Sequence, residues 1–167
     1  MRHALRCLAM ASICAVTGML TAASAHDHDK LPPGPIRDRH ELMKSMGEEA
    51  KNINDAFNIG SEGFDASIIQ RSANAIALKA HQIPSLFPPG STDPNSRALP
   101  AIWETGNWDK FVHNAKELED EATKLSSSAS EDDTDLPAKS KKLFAICKSC
   151  HDQFRAPEKK EKGKKGH

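Results

Sequence analysis

The stretch "WDKFVHNAKELEDEATKL", residues 108–125, sets Trp108, Phe111, Ala115, Leu118, Ala122 and Leu125 at intervals of 3, 4, 3, 4 and 3. A chain with 3.6 residues per turn brings such positions onto one face, whereas a strand would need strict alternation. The same rhythm continues on either side. Ile36, Met43, Met46, Ala50, Ile53 and Phe57 form one stripe, Ile69, Ala73, Ile76, Ala80 and Ile83 a second, and Leu143, Cys147, Cys150 and Phe154 a last one with Phe144 and His151 alongside. Alternation is almost absent and no unit repeats at a fixed period, so the sequence predicts an all-α chain.

The connections set the architecture. "NIGSEG", residues 58–63, offers Gly60 as a helix C-cap and Ser61 as a turn residue or N-cap. Pro84 stops the second stripe, because a proline interior to a helix removes a hydrogen bond and clashes with the turn before it. The segment "PSLFPPGSTDPNSRALP", residues 84–100, reads as a long crossing loop. The third stripe dissolves into the polar, acidic "SSSASEDDTD", residues 126–135, after which Asp135 and Pro137 mark another helix start. Four amphipathic helices of roughly 20 residues, each about 30 Å long, predict an antiparallel four-helix bundle.

Residues 1–25 read as a secretory signal peptide, with Arg2 and Arg6 before an apolar middle and Ala23-Ser24-Ala25 as the cleavage signal. That middle is broken by Ser12, Thr17 and Gly18 and falls short of the roughly 20 apolar residues a membrane span needs. The domain then occupies residues 26–157, and "EKKEKGKKGH", residues 158–167, is a lysine-rich tail with a disordered composition. The leading "HDHD", residues 26–29, could capture a stray metal ion, but its composition is that of a solvated leader. Loss of Arg2 and Arg6 takes the balance from 23 basic against 23 acidic residues to 21 against 23, a net charge of −2 that gives no reason to expect nucleic acid. Export points to the periplasm, with no membrane span once the signal is removed. Cys7 and Cys14 leave with the signal, so an oxidising compartment receives only Cys147 and Cys150.

That pair lies in "KLFAICKSCHDQFR", residues 142–155. On a helix, Cys147, Cys150 and His151 stand at i, i+3 and i+4 and share a face. C-x-x-C-H is the attachment signature of a c-type haem: each thiol adds to a porphyrin vinyl group, and the imidazole serves as an axial ligand. A redox dithiol of the thioredoxin kind would need a preceding strand, which the pattern lacks. A zinc site would need a fourth partner, for which His113 on the third helix would have to be recruited. A plain disulfide leaves His151 unexplained. The motif therefore predicts one covalent haem c near the C-terminal helix.

The chain resembles the class II c-type cytochromes, the cytochrome c-prime and cytochrome c-556 family. Besides the C-terminal "CKSCHDQFR", "RHELMKSMG" at 39–47 resembles that family's R-x-x-x-M segment, "LFPPGS" at 86–91 its F-P-x-G-S loop, and "ALPAIWETGNWDKF" at 98–111 its approach to the third helix. The "HDHDKLPPGP" leader, the Ser-rich connection and the lysine tail depart from the pattern without touching these segments.

The resemblance implies that Cys147 and Cys150 are thioether anchors and His151 the proximal ligand. It places Arg155 near that imidazole, where a fixed cation polarises the ligand's surroundings, although a solvated arginine at a helix C-terminus would look the same in sequence. Arg39 would lie near a haem propionate, able to pair with it bidentately, or else be one charge of "RDRHE" on a wet face. Met43 occupies the register over the distal haem face, although a methionine on an apolar stripe is by default core filler, as Met46 on the same stripe illustrates. If Met43 binds the iron, the haem is six-coordinate, low-spin and suited to electron transfer; if not, the open iron takes a small gas such as nitric oxide. The implied protein is an electron carrier and not an enzyme, with redox proteins as partners and two bundles able to pair as a homodimer. The lysine tail would dock an acidic partner or aid solubility.

Overall fold

All four stripes become helices in the computed structural model, which describes residues 31–58, 65–131 and 133–157. Helix α1 covers Pro35–Ala56, α2 Ala66–Ala80, α3 Asn107–Ser130 and α4 Leu136–Phe154. The signal sequence, the "HDHD" leader, the turn holding Gly60 and Ser61, and the lysine tail all lie outside the described residues.

Each helix starts where local chemistry favours it. Pro35 sits in the first turn of α1, where its missing N–H would have had no intrahelical partner. Gly34 before it has φ 101°, a conformation side-chain-bearing residues rarely adopt. Asp65 caps α2 by accepting from the backbone N–H groups of Ser67 at 2.9 Å and Ile68 at 3.2 Å. Helix α3 follows Gly106 at φ 80°, and α4 again has a proline in its first turn.

Two stretches differ from the sequence reading. Helix α3 does not end at Leu125 but runs through the serines to Ser130. Ala129 falls one turn beyond Leu125 and extends the buried stripe at 4% exposure. The hydroxyls that would compete with the helix are satisfied nearby, Ser126 donating to the Gln70 carbonyl and Ser130 to that of Ser127. The crossing segment is likewise not plain loop. It begins with one 3₁₀ turn, Pro84–Leu86, and its last residue opens a second, Pro100–Trp103, each started by a proline, and the second buries Ile102.

Helix α2 packs between α1 and α3, and α3 packs on α4. The small residues Ala73, Ala77 and Ala80 on α2 let its backbone approach both neighbours. Ile53, Ile69, Ile76, Ile102, Leu125, Leu136 and Leu143 are fully buried in one core. The backbones of α1 and α4, which are neighbours in a closed ring of four helices, scarcely approach each other. Among the described residues no helix is long and apolar enough to cross a membrane.

Candidate haem site

The buried face of α4 reads Leu136, Ser140, Leu143 and Ile146, and resumes only at Phe154. In the interval, that face is occupied by Cys147, Cys150 and His151, all half-buried. Both cysteines are free thiols. Burial pushes the Cys147 thiol up, and pushes that of Cys150 up to about 11. The imidazole of His151 is pushed down, first by burial and then by the cations of Arg155 and Arg97. At neutral pH the motif therefore holds two protonated thiols and a neutral imidazole with a lone pair to give. On α3, Asn114 lies beside the Cys150 sulfur, and its side-chain nitrogen is buried without a hydrogen-bond partner of normal geometry.

The end of α4 is tied to the crossing segment. The N–H of Leu99 donates to the Phe154 carbonyl at 2.9 Å, and the N–H of Ala156 to that of Arg97 at 2.8 Å. Ala98 and Arg155 form an isolated antiparallel bridge. Arg155, four residues after His151, would share its face only if the helix continued, but the helix ends at Phe154 and Arg155 is its C-cap, with extended backbone at φ −122° and ψ 126°. Capture by the 97–99 segment pulls it out of helical register; its charge nevertheless still bears on His151.

Arg39 is not on a wet face. It is 3% exposed and reaches from α1 into the crossing segment. Its Nη1 donates to Ser91 Oγ at 2.8 Å, and its Nη2 to the Ser91 carbonyl at 2.7 Å and Ser96 Oγ at 3.0 Å. The guanidinium also lies over Phe87, 4.8 Å from the ring centroid, and 6.0 Å from that of Trp103. Trp103 Nε1 in turn donates to the Phe87 carbonyl at 3.0 Å. Three of the segments quoted above, "RHELMKSMG", "LFPPGS" and "ALPAIW", thus meet around one buried cation.

Met43 and Met46 divide. Met46 is 7% exposed and belongs to the core, whereas Met43 is half-buried at its edge. His113, the residue a zinc site would have recruited, is exposed, and among the described residues no cluster of His, Cys, Asp and Glu could hold a metal ion. Phe111 stacks with Trp108 and meets Phe87 and Phe154 edge or tilted, so aromatic packing joins α3, the crossing segment and the end of α4.

The donor set fits a c-type haem. Two unpaired thiols one turn apart and a neutral imidazole share one stretch of helix, an orphaned amide lies beside one thiol, and α1 stands off from α4. Sequence reasoning missed Arg97 and the serines around Arg39, because loop residues carry no period that would orient their side chains, and it missed Asn114 because that residue lies on α3 off the apolar stripe.

A family model described as Cytochrome C' matches residues 34–155. Among curated proteins, a cytochrome c' of Rhodopseudomonas palustris is 37% identical over 128 residues, 72% of this chain and 81% of that protein. A cytochrome c-556 of Agrobacterium tumefaciens is 30% identical over 122 residues, 73% of this chain and 97% of that protein. The solved structure of a cytochrome c' from Rhodopseudomonas palustris matches with a TM-score of 0.65 at 34% identity, over 77% of this chain and 100% of the other. A match running from the start of α1 to the cap of α4, with the C-x-x-C-H thiols and imidazole presented together at its end, means that this chain belongs to the cytochrome c' family of haem c proteins.

Proposed function

We propose that the protein is a periplasmic electron carrier, not an enzyme, in which one haem c is anchored by Cys147 and Cys150 and ligated by His151 and Met43. The observation that carries the ligand assignment is the division of the methionines. Met46 is committed to the core, while Met43, one turn earlier on the helix that stands off from α4, is only partly buried at its edge.

The haem supplies a one-electron iron couple when bound; the chain's own residues set how that couple behaves. His151, held neutral by burial and by two cations, offers a lone pair without first losing a proton. Met43 offers a soft, neutral sulfur, which favours reduced over oxidised iron. Arg39, pinned by Ser91 and Ser96, adds a fixed positive charge suited to a propionate, and Asn114 crowds the Cys150 side of the site. Nothing in this set is placed to shuttle a substrate proton, which suits a carrier.

The second reading, an open iron that binds a small gas, draws support from the cytochrome c' name of the more similar relative. Optical spectra of the oxidised and reduced holoprotein separate the two. A low-spin spectrum that becomes high-spin and open to carbon monoxide in Met43→Ala, but not in Met46→Ala, is the expected outcome. A wild-type protein already high-spin and open to carbon monoxide would move the gas-binding reading ahead. Pairing of two bundles is part of the proposal. Leu78 on α2, 63% exposed, is the one large apolar side chain in the open among the described residues, and sedimentation of the holoprotein against Leu78→Glu checks it.

A further inference from the structure

We infer that Arg97 is a positioning residue for the axial imidazole: it locks the end of α4 in place and holds a permanent positive charge beside His151. The inference rests on His151 being the iron ligand, and it adds a residue that lies outside the C-x-x-C-H motif.

Two kinds of observation carry it. The first is geometric. The last carbonyls of a helix have no partner within it, and here the chain just beyond His151 is fixed from outside. Nε and Nη2 of Arg97 both donate to the Ala156 carbonyl, at 2.9 and 2.7 Å. The Ala156 N–H returns a bond to the Arg97 carbonyl at 2.8 Å, and the Leu99 N–H donates to Phe154 at 2.9 Å. A planar guanidinium grips one oxygen with two nitrogens, which a lysine ammonium on its flexible stem cannot reproduce. With the N–H of Arg155 closing the last helical bond onto the His151 carbonyl at 3.1 Å, the turn that bears the imidazole is fixed at its C-terminal end.

The second is electrostatic. A guanidinium stays charged at any pH the protein meets, and its two bonds to the Ala156 carbonyl hold that charge just past the cap of the helix that bears His151. A fixed cation near an iron ligand disfavours the more positive oxidation state. For charges on the order of 10 Å apart in a partly buried setting, the effect on the redox equilibrium is about tenfold.

The test compares holoprotein of wild type, Arg97→Gln, Arg97→Lys and a remote control, Arg71→Gln, on the exposed side of α2. Two quantities are measured: the reduction potential, and the hydrogen-exchange rates of the Leu99 and Ala156 amides. Arg97→Gln should shift the redox equilibrium about tenfold toward oxidised iron, ~59 mV for one electron. Arg97→Lys should stay within about twofold of wild type because its charge remains. Both Arg97 variants should speed exchange at Leu99 and Ala156, and Arg71→Gln should change neither quantity. An unchanged potential in Arg97→Gln, an equal fall in Arg97→Lys, or unaltered exchange in both would overturn the inference. If Arg97→Gln yields no holoprotein, Arg97→Lys decides: a preserved potential with faster exchange supports the assignment, and anything else sinks it. Failure of the ligand reading itself is seen separately, as a wild-type protein without covalent, histidine-ligated haem.

Discussion

Replacing Arg39 by methionine should destabilise the fold, and replacing it by lysine should destabilise it more. The arginine is 3% exposed and donates three hydrogen bonds, at 2.8, 2.7 and 3.0 Å, to Ser91 and Ser96. Burial is the larger influence on the group, pushing its pKa down, with Asp93 opposing. Hydrogen bonds to a charged group contribute about 1.5–3 kcal/mol each before the cost of desolvating that group is set against them. Methionine keeps much of the stem's packing and removes both the bonds and the desolvation cost, so the net loss should be about 2–3 kcal/mol. Lysine leaves a buried ammonium that can reach only part of the same acceptor set, and a poorly paired buried charge costs about 3–5 kcal/mol. In a domain of this size each kcal/mol moves the midpoint by about 3–5 °C. Thermal unfolding followed by far-UV circular dichroism should therefore show a fall of about 6–15 °C for Arg39→Met and a larger one for Arg39→Lys. Lys51→Ala, which breaks an exposed pair with Asp55, should change stability by about 0.5 kcal/mol at most. A shift below about 2 °C for Arg39→Met, or a lysine variant more stable than the methionine one, would mean that the buried cation does not tie α1 to the crossing segment.

Denaturing gels stained for haem should lose the stain from the polypeptide band in the double variant Cys147→Ala, Cys150→Ala, and retain it in wild type. Met46→Ala should lower stability by about 2–5 kcal/mol in denaturant titration because it empties a core position, whereas Met43→Ala should cost less stability while changing the spectrum. Stability should decline as pH falls through the carboxylate range. Asp133 is held below its ordinary value chiefly by its bond from Lys139, and Glu121 chiefly by its bond from Lys124, then Lys142. A depressed folded value means that these groups stabilise the fold above about pH 4 and cease to as they protonate below it. Denaturant midpoints measured from pH 7 to pH 3 should fall, and Asp133→Asn should flatten part of that dependence; an unchanged slope would remove Asp133 from the account.

The helices were legible because their apolar positions are dictated by a period that any packed helix must obey. Ile53, Ile69, Leu125 and Leu143 were assigned to the core by spacing and are fully buried. The error at Ser126–Ser130 has a physical source. Serine is a poor helix former on average because its hydroxyl competes for backbone groups, but Ala129 keeps the stripe in register and tertiary burial outweighs that preference. Arg39 shows a different limit. Its offset of four from Met43 placed it on the correct helix, yet its burial depends on Ser91 and Ser96, more than 50 residues away in a segment with no period to read.

The same reasoning explains why the proposed haem anchors and ligand form a pattern readable in sequence while the groups packed around them do not. Cys147, Cys150 and His151 lie within one turn and a residue of each other, so local geometry alone brings them together. Arg155 lies one step beyond that geometry: the helix stops at Phe154 because Leu99 and Arg97 supply partners that a continuing helix would have supplied itself. The competition is between an intrahelical bond and a bond to the 97–99 segment. Proline follows at Pro157, and the residue before a proline is biased away from helix. That bias falls on Ala156 and makes the extended exit favourable before any tertiary contact forms. The crossing segment then captures a chain end already inclined to leave the helix, and in doing so sets two arginines, not one, beside the imidazole.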